Sequence, residues 1–244
     1  MEAGHPPRVH TFPSAFQFER TRAIRAAVYR LARLSLRARI LDVGAGEGLV
    51  AGEMAARTGR PCLALDRAIP SPLPAGVLGI RGDAESLPFP DAALDAVAYH
   101  FVLLWVRDPT RALREARRVL KPGGVVMILA EPDLTARIDE PASGLGRAIV
   151  QSVRHGGGTP EAGARVGRWM EAEGFRPRIC ATTAEWAALT SPAEAEHELA
   201  FLGERAGLTE GELSKMAELE RTSAEAGTRR VFLPLYYGVG LKPD

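Results

Sequence analysis

The segment Arg39-Ile40-Leu41-Asp42-Val43-Gly44-Ala45-Gly46-Glu47-Gly48-Leu49-Val50 decides the fold of this chain. An apolar run typical of a β-strand leads into a cluster of glycines, and a helical pattern follows the cluster. A strand, a tight glycine turn and a helix together direct backbone N–H groups towards a bound ligand. The segment therefore predicts a turn of the nucleotide-binding kind, and the residues after it must indicate which ligand it holds.

The composition is that of one globular α/β domain with additions. The chain has 244 residues, of which 46% are hydrophobic and 25% charged, enough apolar sequence for a sizeable core. A net charge of +1 does not favour a large nucleic-acid-binding surface. The sequence shows no apolar leader and no membrane-spanning window, so we expect a cytoplasmic protein.

Two cysteines are too few for a disulfide framework. Cys62 and Cys180 both fall in predicted strands, and we expect both to be buried thiols. No group of His, Asp and Glu has the spacing of metal ligands, and no metal site is predicted.

Strands and helices alternate after the glycine turn. The pattern predicts strands over residues 40–43, 62–65, 77–80, 95–101 and 125–130. Helices follow over residues 49–58 and 109–120, the second with Asp108 as its N-cap. Three prolines between residues 68 and 76 exclude the usual crossover helix there. This alternation predicts a doubly wound, parallel α/β sheet.

Polar side chains at or near the ends of four of these strands map to one edge of the sheet, namely Asp42, Asp66, Asp83 and His100. Ligands of such folds bind at this carboxyl edge, near the point where the strand order reverses. Asp66 lies twenty-two residues after Gly44 and could accept hydrogen bonds from both hydroxyls of a ribose. Asp83, followed by the small Ala84, could accept from an exocyclic amine and leave room for a purine.

The two ends of the chain extend this core. Ile24, Val28, Leu31 and Leu34 have the spacing of a helix packed on the sheet. A helix is expected over residues 159–174, and strands are expected over residues 175–183 and 231–241. Between those strands, residues 191–206 and 209–227 predict a helical pair, the second opened by the capping box Thr209-Glu210-Gly211-Glu212.

Four motifs together resemble the class I S-adenosylmethionine-dependent methyltransferases, in the small-molecule branch similar to ubiquinone/menaquinone C-methyltransferases. They are residues 41–48, Asp66, residues 82–84 with Leu87-Pro88-Phe89, and residues 118–124. The resemblance is strong over residues 38–132. It implies a Rossmann-like sheet of seven strands in the order 3-2-1-4-5-7-6, with the last strand antiparallel.

The resemblance also implies S-adenosylmethionine as the methyl donor, with S-adenosylhomocysteine as the product. Gly44 and Gly46 would approach the methionine part, Asp66 the ribose, and Asp83 with the Ala84 amide the adenine. The cofactor-binding residues expected from it are Asp42, Gly44, Ala45, Gly46, Asp66, Arg67, Asp83, Ala84, Glu85 and His100.

Methyl transfer is an in-line displacement that needs mainly orientation and a dry site. A base is required only when the nucleophile carries a proton. Tyr99 and His100 are the candidates, and their alternation in a strand means that one faces the site while the other faces away. The acceptor would be an O, N or C atom of a small or amphipathic molecule. The residues expected to face it are Phe16, Phe18, Trp105, Asp133 and His155.

These expectations divide one methyltransferase domain into five parts. Residues 1–37 form an N-terminal helical cap, 38–132 the cofactor-binding core, 133–158 a substrate region, and 159–183 with 229–244 the closing part of the sheet. Residues 184–228 form the helical insertion, which could cover the substrate or form a dimer contact. An NAD(P)-dependent oxidoreductase and a non-catalytic partner protein are the alternative functions, and monomer and homodimer both remain open.

Overall fold

The computed structural model describes residues 14–183, 187, 188, 196, 198, 199, 202 and 208–244. Its strands are β1 (Ile40–Val43), β2 (Cys62–Asp66), β3 (Val77–Arg81), β4 (Leu94–His100), β5 (Leu120–Pro132), β6 (Ile138–Glu140), β7 (Arg176–Thr183), β8 (Ala187–Ala188), β9 (Arg230–Phe232) and β10 (Pro234–Leu241). Its helices are α1 (Ser14–Arg20), α2 (Arg22–Leu31), α3 (Leu49–Thr58), α4 (Pro109–Val119), α5 (Leu145–His155), α6 (Ala162–Ala172) and α7 (Glu210–Glu225).

The main sheet has seven strands in the order β3-β2-β1-β4-β5-β10-β7. Strands β1 to β5 pair in parallel, while β10 lies antiparallel between β5 and β7. Counted along the chain within this sheet, the order is 3-2-1-4-5-7-6. The predicted fold class and strand order are confirmed.

Helices cover both faces of the sheet because successive strand residues point to opposite faces. In β4, Val97 and Tyr99 pack into the core under α4, α5 and α6, whereas Ala96 and Ala98 pack into the core under α2 and α3. The glycine turn lies between β1 and α3, at the carboxyl edge where the parallel strands end. The layered packing thus places the candidate residues at one rim of the molecule.

The connection from β2 to β3 is an irregular loop, as its prolines predict. The loop packs closely against three glycines of neighbouring elements. A Cβ atom on Gly52 would lie 2.9 Å from Cβ of Pro74, and one on Gly79 would lie 2.7 Å from Cγ2 of Ile69. Gly48 makes the same kind of approach, to Leu73 and Pro74. The loop takes the place of a helix by packing directly against backbone.

The predicted last strand over residues 231–241 is in fact two strands. β9 pairs with β6 and β8 in a separate three-stranded sheet, and β10 begins at Pro234 in the main sheet. Proline lacks the N–H that a continuous ladder requires, which explains the break at this position.

Buried ion pairs hold the accessory sheet to the helices around it. The guanidinium of Arg137, on the segment before β6, pairs with Glu198, and that of Arg229, before β9, pairs with both Glu198 and Glu220. The capping box of Thr209 and Glu212 opens α7, as predicted. The first helix of the predicted pair, residues 191–206, lies almost entirely outside the described residues.

Two expectations about burial are wrong. Leu31 is 42% exposed, because α2 buries the face that carries Arg25, Val28 and Tyr29 instead. Cys62 is buried, but Cys180 is exposed. Cys180 lies on β7, the edge strand of the main sheet, where alternate side chains point to solvent.

Candidate active site

The glycine turn is held between the end of β2 and the loop after β4. The amides of Gly44 and Ala45 donate to the carbonyl of Leu65 at 2.7 and 3.1 Å. Gly44 has a φ of +67°, and a Cβ atom there would lie 2.6 Å from Val102. A Cβ atom on Gly46, by contrast, would meet nothing within 4 Å. The turn is therefore closed on the Gly44 side and open to a ligand on the Gly46 side.

Asp66 ends β2 with its carboxylate already positioned against the turn. Oδ2 accepts a hydrogen bond from the amide of Gly46 at 2.9 Å, and Oδ1 accepts one from the amide of Ala68 at 3.1 Å. Each carboxylate oxygen has about two acceptor positions, so each keeps one for a ligand. Arg67, the next residue, is exposed.

Asp42 is a buried acid on β1, with only 2% of its surface exposed. Burial raises its pKa to about 8; the charge of Asp66 also raises it, while the Ala51 amide and the Arg25 guanidinium oppose the shift. Among the described residues, Oδ2 has no hydrogen-bond partner. A buried carboxyl oxygen without a partner is costly unless a ligand pairs with it.

Arg25 lies beside Asp42 and was not identified from the sequence. Its side chain is fully buried, its Nε donates to Glu53 at 2.6 Å, and its guanidinium stacks 3.8 Å from the centre of the Phe18 ring. Within the described part of the chain, Nη2 has no partner. The only sequence signal was helical spacing: Thr21, Arg25, Val28 and Tyr29 recur on one face of α2.

Asp83 lies in the loop after β3, where its Oδ1 accepts from the Glu85 amide at 2.8 Å. Its side chain is exposed and Ala84 is half-buried. The carboxylate of Glu85 is turned the other way, since its Oε1 accepts from the amides of Arg107 and Asp108 at 3.0 and 3.1 Å. The side chain of Glu85 therefore supports the beginning of α4. Asp83 and the Ala84 backbone are left as the groups available to a nucleobase.

Arg118 fastens this loop to α4. Its guanidinium donates to the carbonyls of Phe89 and Leu87 at 2.7 and 2.9 Å, and it pairs with the carboxylates of Asp91 and Glu115. These contacts give Arg118 a structural role, in keeping with its place in a structural motif.

His100 ends β4, and its Nε2 lies 2.8 Å from Oγ1 of Thr21 on the N-terminal segment. Burial lowers the pKa of His100 to about 3, and the charge of Arg25 lowers it further. The imidazole is thus neutral at physiological pH. It can accept a hydrogen bond but holds a transferred proton only weakly.

Tyr99 does not belong to the site. It is fully buried on the opposite face of β4, where its hydroxyl donates to the carbonyl of Ala112 on α4 at 3.1 Å. Burial also raises its pKa well above the usual range. The alternation of side chains along β4 places His100 next to Thr21 and Tyr99 on the opposite face, away from the glycine turn.

The loop after β4 is held by a buried carboxylate. Glu131, at the end of β5, accepts hydrogen bonds from the amides of Leu104 at 2.9 Å and Val102 at 3.3 Å. Burial raises the pKa of Glu131 to about 7, against the effect of these amides. Because Val102 packs against Gly44, Glu131 indirectly fixes the back of the glycine turn.

The residues expected to face an acceptor are distributed unevenly. Phe18 packs beneath Arg25, next to the turn, while Phe16 and Trp105 are half-buried. Asp133 is 8% exposed and caps a short helical turn by accepting from the amide of Thr135. His155 is exposed at the end of α5, with Nδ1 3.2 Å from the Gln151 carbonyl of the same helix. Of these, Phe18 contacts the Arg25 and Thr21 cluster.

Comparisons with known proteins show which family part of the chain resembles. Residues 41–128 match the family described as a methyltransferase domain. The demethylmenaquinone methyltransferase of Renibacterium salmoninarum is 41% identical over 96 residues, which are 37% of this chain and 40% of that protein. The similarity thus spans less than half the length of this curated relative.

Two solved structures show how widely the fold is used. Phosphoethanolamine N-methyltransferase 2 of Haemonchus contortus, in complex with phosphomonomethylethanolamine and S-adenosylhomocysteine, has a TM-score of 0.61 and 17% identity over 98% of this chain and 59% of its own. The [4+2]-cyclase SpnF has a TM-score of 0.57 and 21% identity over 91% of this chain and 81% of its own. These likenesses show the fold alone. In the described part of the chain, no helix combines the length and hydrophobicity needed to cross a bilayer.

Proposed function

We propose, since residues 41–128 belong to the class I methyltransferases of the ubiquinone/menaquinone C-methyltransferase type, that this protein binds S-adenosylmethionine and methylates an O, N or C atom of a small or amphipathic molecule. The bound cofactor would supply a sulfonium-activated methyl group for in-line displacement. The residues of the chain would bind it, orient the acceptor and exclude water.

One observation carries the proposal: an acidic and a basic side chain, near each other in the interior, each hold a buried polar atom that has no partner among the described residues. These atoms are Oδ2 of Asp42 and Nη2 of Arg25. The two groups are near enough for the guanidinium to influence the pKa of Asp42. A free amino-acid end, with an ammonium and a carboxylate, would pair with both, and the methionine part of S-adenosylmethionine has that end. A dinucleotide offers no ammonium group for Asp42.

The remaining groups suit the nucleoside part. The two oxygens of Asp66 each keep an acceptor position for a ribose hydroxyl. Oδ2 of Asp83 and the Ala84 backbone would meet the adenine edge, and Gly46 leaves open the space through which the ligand would lie against the turn. Arg67 would flank the ribose at the solvent side.

His100 would orient the acceptor. A neutral imidazole with a pKa of about 3 stores a proton poorly at pH 7, so its contribution would be to accept a hydrogen bond from the nucleophile and direct its lone pair at the methyl group. Strong general-base catalysis by His100 is less compatible with this environment than positioning is.

Calorimetric titration of the full chain with S-adenosylhomocysteine and, separately, with NADH tests the donor assignment. We expect saturable binding of S-adenosylhomocysteine only. Asp42→Asn and Asp66→Asn should weaken it at least about tenfold, since each removes a charge-assisted hydrogen bond of about 1.5–3 kcal/mol. Glu171→Gln, on the exposed side of α6, is the matched control and should bind normally.

Transfer itself is tested with methyl-labelled S-adenosylmethionine and a panel of phenols, quinols, amines and carboxylates. Label should move to at least one acceptor class. Binding of NADH without binding of S-adenosylhomocysteine would contradict the proposal. Binding of S-adenosylhomocysteine together with failure of transfer to every class would favour a non-catalytic role.

A further inference from the structure

Thr21 and His100 make a contact that binding of the methyl donor does not require. Thr21 is 1% exposed, and its Oγ1 has three close polar partners: the Gln17 carbonyl at 2.6 Å, Nη1 of Arg25 at 2.7 Å and Nε2 of His100 at 2.8 Å. The Phe18 carbonyl lies farther away, at 3.5 Å, and can only share the proton that the Gln17 carbonyl accepts. A hydroxyl has one proton to donate and two lone pairs that accept. Three partners therefore use its full capacity, and their chemistry determines where each proton lies.

Two of the three contacts can be formed in only one direction. A guanidinium N–H only donates, so Arg25 occupies one lone pair of Thr21. A carbonyl only accepts, so the short contact to Gln17 requires the hydroxyl proton. The remaining lone pair faces Nε2 of His100, which must then carry a proton and donate it. A neutral imidazole protonated at Nε2 has its lone pair on Nδ1.

We propose that Thr21 is a positioning residue that holds His100 as the Nε2–H tautomer, so that Nδ1 is the nitrogen that accepts a hydrogen bond from the methyl acceptor. The acceptor class follows from this assignment: a nucleophile with an O–H or N–H to donate is favoured over a carboxylate. The role towards the acceptor rests on the proposed function, but the tautomer itself rests only on the hydrogen bonds of Thr21.

Long-range proton–nitrogen NMR correlation on the full chain, labelled with ¹⁵N-histidine, reads the tautomer directly. His100 is assigned by the signal lost in His100→Gln. At pH 7 we expect the Nε2–H form of His100 to exceed the Nδ1–H form by about tenfold or more, the equivalent of one buried hydrogen bond. His155 is an internal reference with the opposite expectation, because its Nδ1 faces the Gln151 carbonyl.

Two substitutions test the role of Thr21. Thr21→Val keeps the shape but removes the hydroxyl, and the tautomer ratio of His100 should fall at least about threefold or reverse. Thr21→Ser keeps the hydroxyl and should retain the wild-type ratio. An Nδ1–H signal for His100 in the wild type, or an unchanged ratio in Thr21→Val, would overturn the proposal.

The NMR result does not depend on which molecule donates the methyl group. The NMR measurement needs no ligand, so the expected tautomer without S-adenosylhomocysteine binding would reject the proposed function alone. Binding of S-adenosylhomocysteine with the wrong tautomer would reject only the role of Thr21.

Discussion

The carboxylate of Asp66 is bound to the glycine turn before any ligand arrives: its Oδ2 accepts a hydrogen bond from the amide of Gly46 at 2.9 Å. The acid at the end of β2 and the turn after β1 are therefore one preformed unit. Preorganisation of this kind lowers the entropy cost of binding.

This unit predicts a specific effect of Asp66→Asn. One amide oxygen can still accept from Gly46, but the NH₂ group would face the Ala68 amide, and the charge is lost. S-Adenosylhomocysteine should bind at least about tenfold more weakly, while the urea midpoint changes little. Equal losses of affinity and stability would show that the residue acts only on the fold.

Asp42→Asn should separate stability from binding. The folded-state pKa of Asp42 is about 8, against 3.8 as the ordinary value, so its neutral form stabilises the fold at low pH. That contribution is lost as pH rises from about 4 to about 8. The unliganded Asn variant should therefore gain stability relative to wild type as pH increases over this window.

Urea unfolding at pH 5, 6.5 and 8 measures this difference, and calorimetry with S-adenosylhomocysteine completes the test. The variant should be the more stable protein at pH 8 and yet bind the ligand at least about tenfold more weakly. A stability difference that is constant across pH would mean that Asp42 does not titrate in this range.

Gly44→Ala and Gly46→Ala form a matched pair, because both glycines have positive φ but only one is enclosed. A methyl group on residue 44 would strike Val102, whose loop Glu131 anchors, and overpacking should add about 1–3 kcal/mol to the backbone strain. Gly46→Ala should cost only the strain of about 1–2 kcal/mol.

The two variants should rank in the opposite order when ligand affinity is measured instead of stability. The methyl group of Gly46→Ala enters space that the cofactor would use, so its affinity for S-adenosylhomocysteine should fall at least about tenfold. Thermal unfolding with and without ligand measures both effects. If Gly46→Ala binds normally, the open side of the turn is not the ligand side.

Arg118→Lys tests whether α4 holds the loop that follows β3. Lysine cannot reproduce the fork that reaches the carbonyls of Leu87 and Phe89, so the variant should lose about 1–3 kcal/mol of unfolding free energy. Arg221→Lys removes a comparable fork from an exposed pair of carboxylates on α7 and should cost less than about 0.5 kcal/mol. Similar losses in the two variants would contradict the anchoring role.

The sequence predicted that Asp42, Asp66, Asp83 and His100 share one edge of the sheet because its signals are local. Each lies at or near the end of a strand, and parallel strands bring their ends to one edge. Arg25 and Thr21 escaped prediction because their importance depends on contact with distant residues: Thr21 and His100 are 79 positions apart. Helical spacing marks the buried face of α2 but cannot say that a guanidinium will lie in it.

The predicted last strand shows the same limit of reasoning from local sequence patterns. Residues 231–241 have one unbroken apolar pattern, yet the chain passes from the accessory sheet to the main sheet at Pro234. Neither the pattern nor the proline specifies which partner strands are available on either side. That choice depends on β6, almost a hundred residues earlier.

The helix-free connection between β2 and β3 constrains how this protein can be altered. Because Gly48, Gly52 and Gly79 leave only enough room for the proline loop, the loop and these glycines form one closely packed unit. Grafting the segment from a relative with a conventional crossover would leave gaps along α3, and enlarging any of the three glycines would expel the loop. Substitutions in the loop and at these glycines are therefore expected to be tolerated only in combination, so this stretch beside Asp66 leaves little room for single changes.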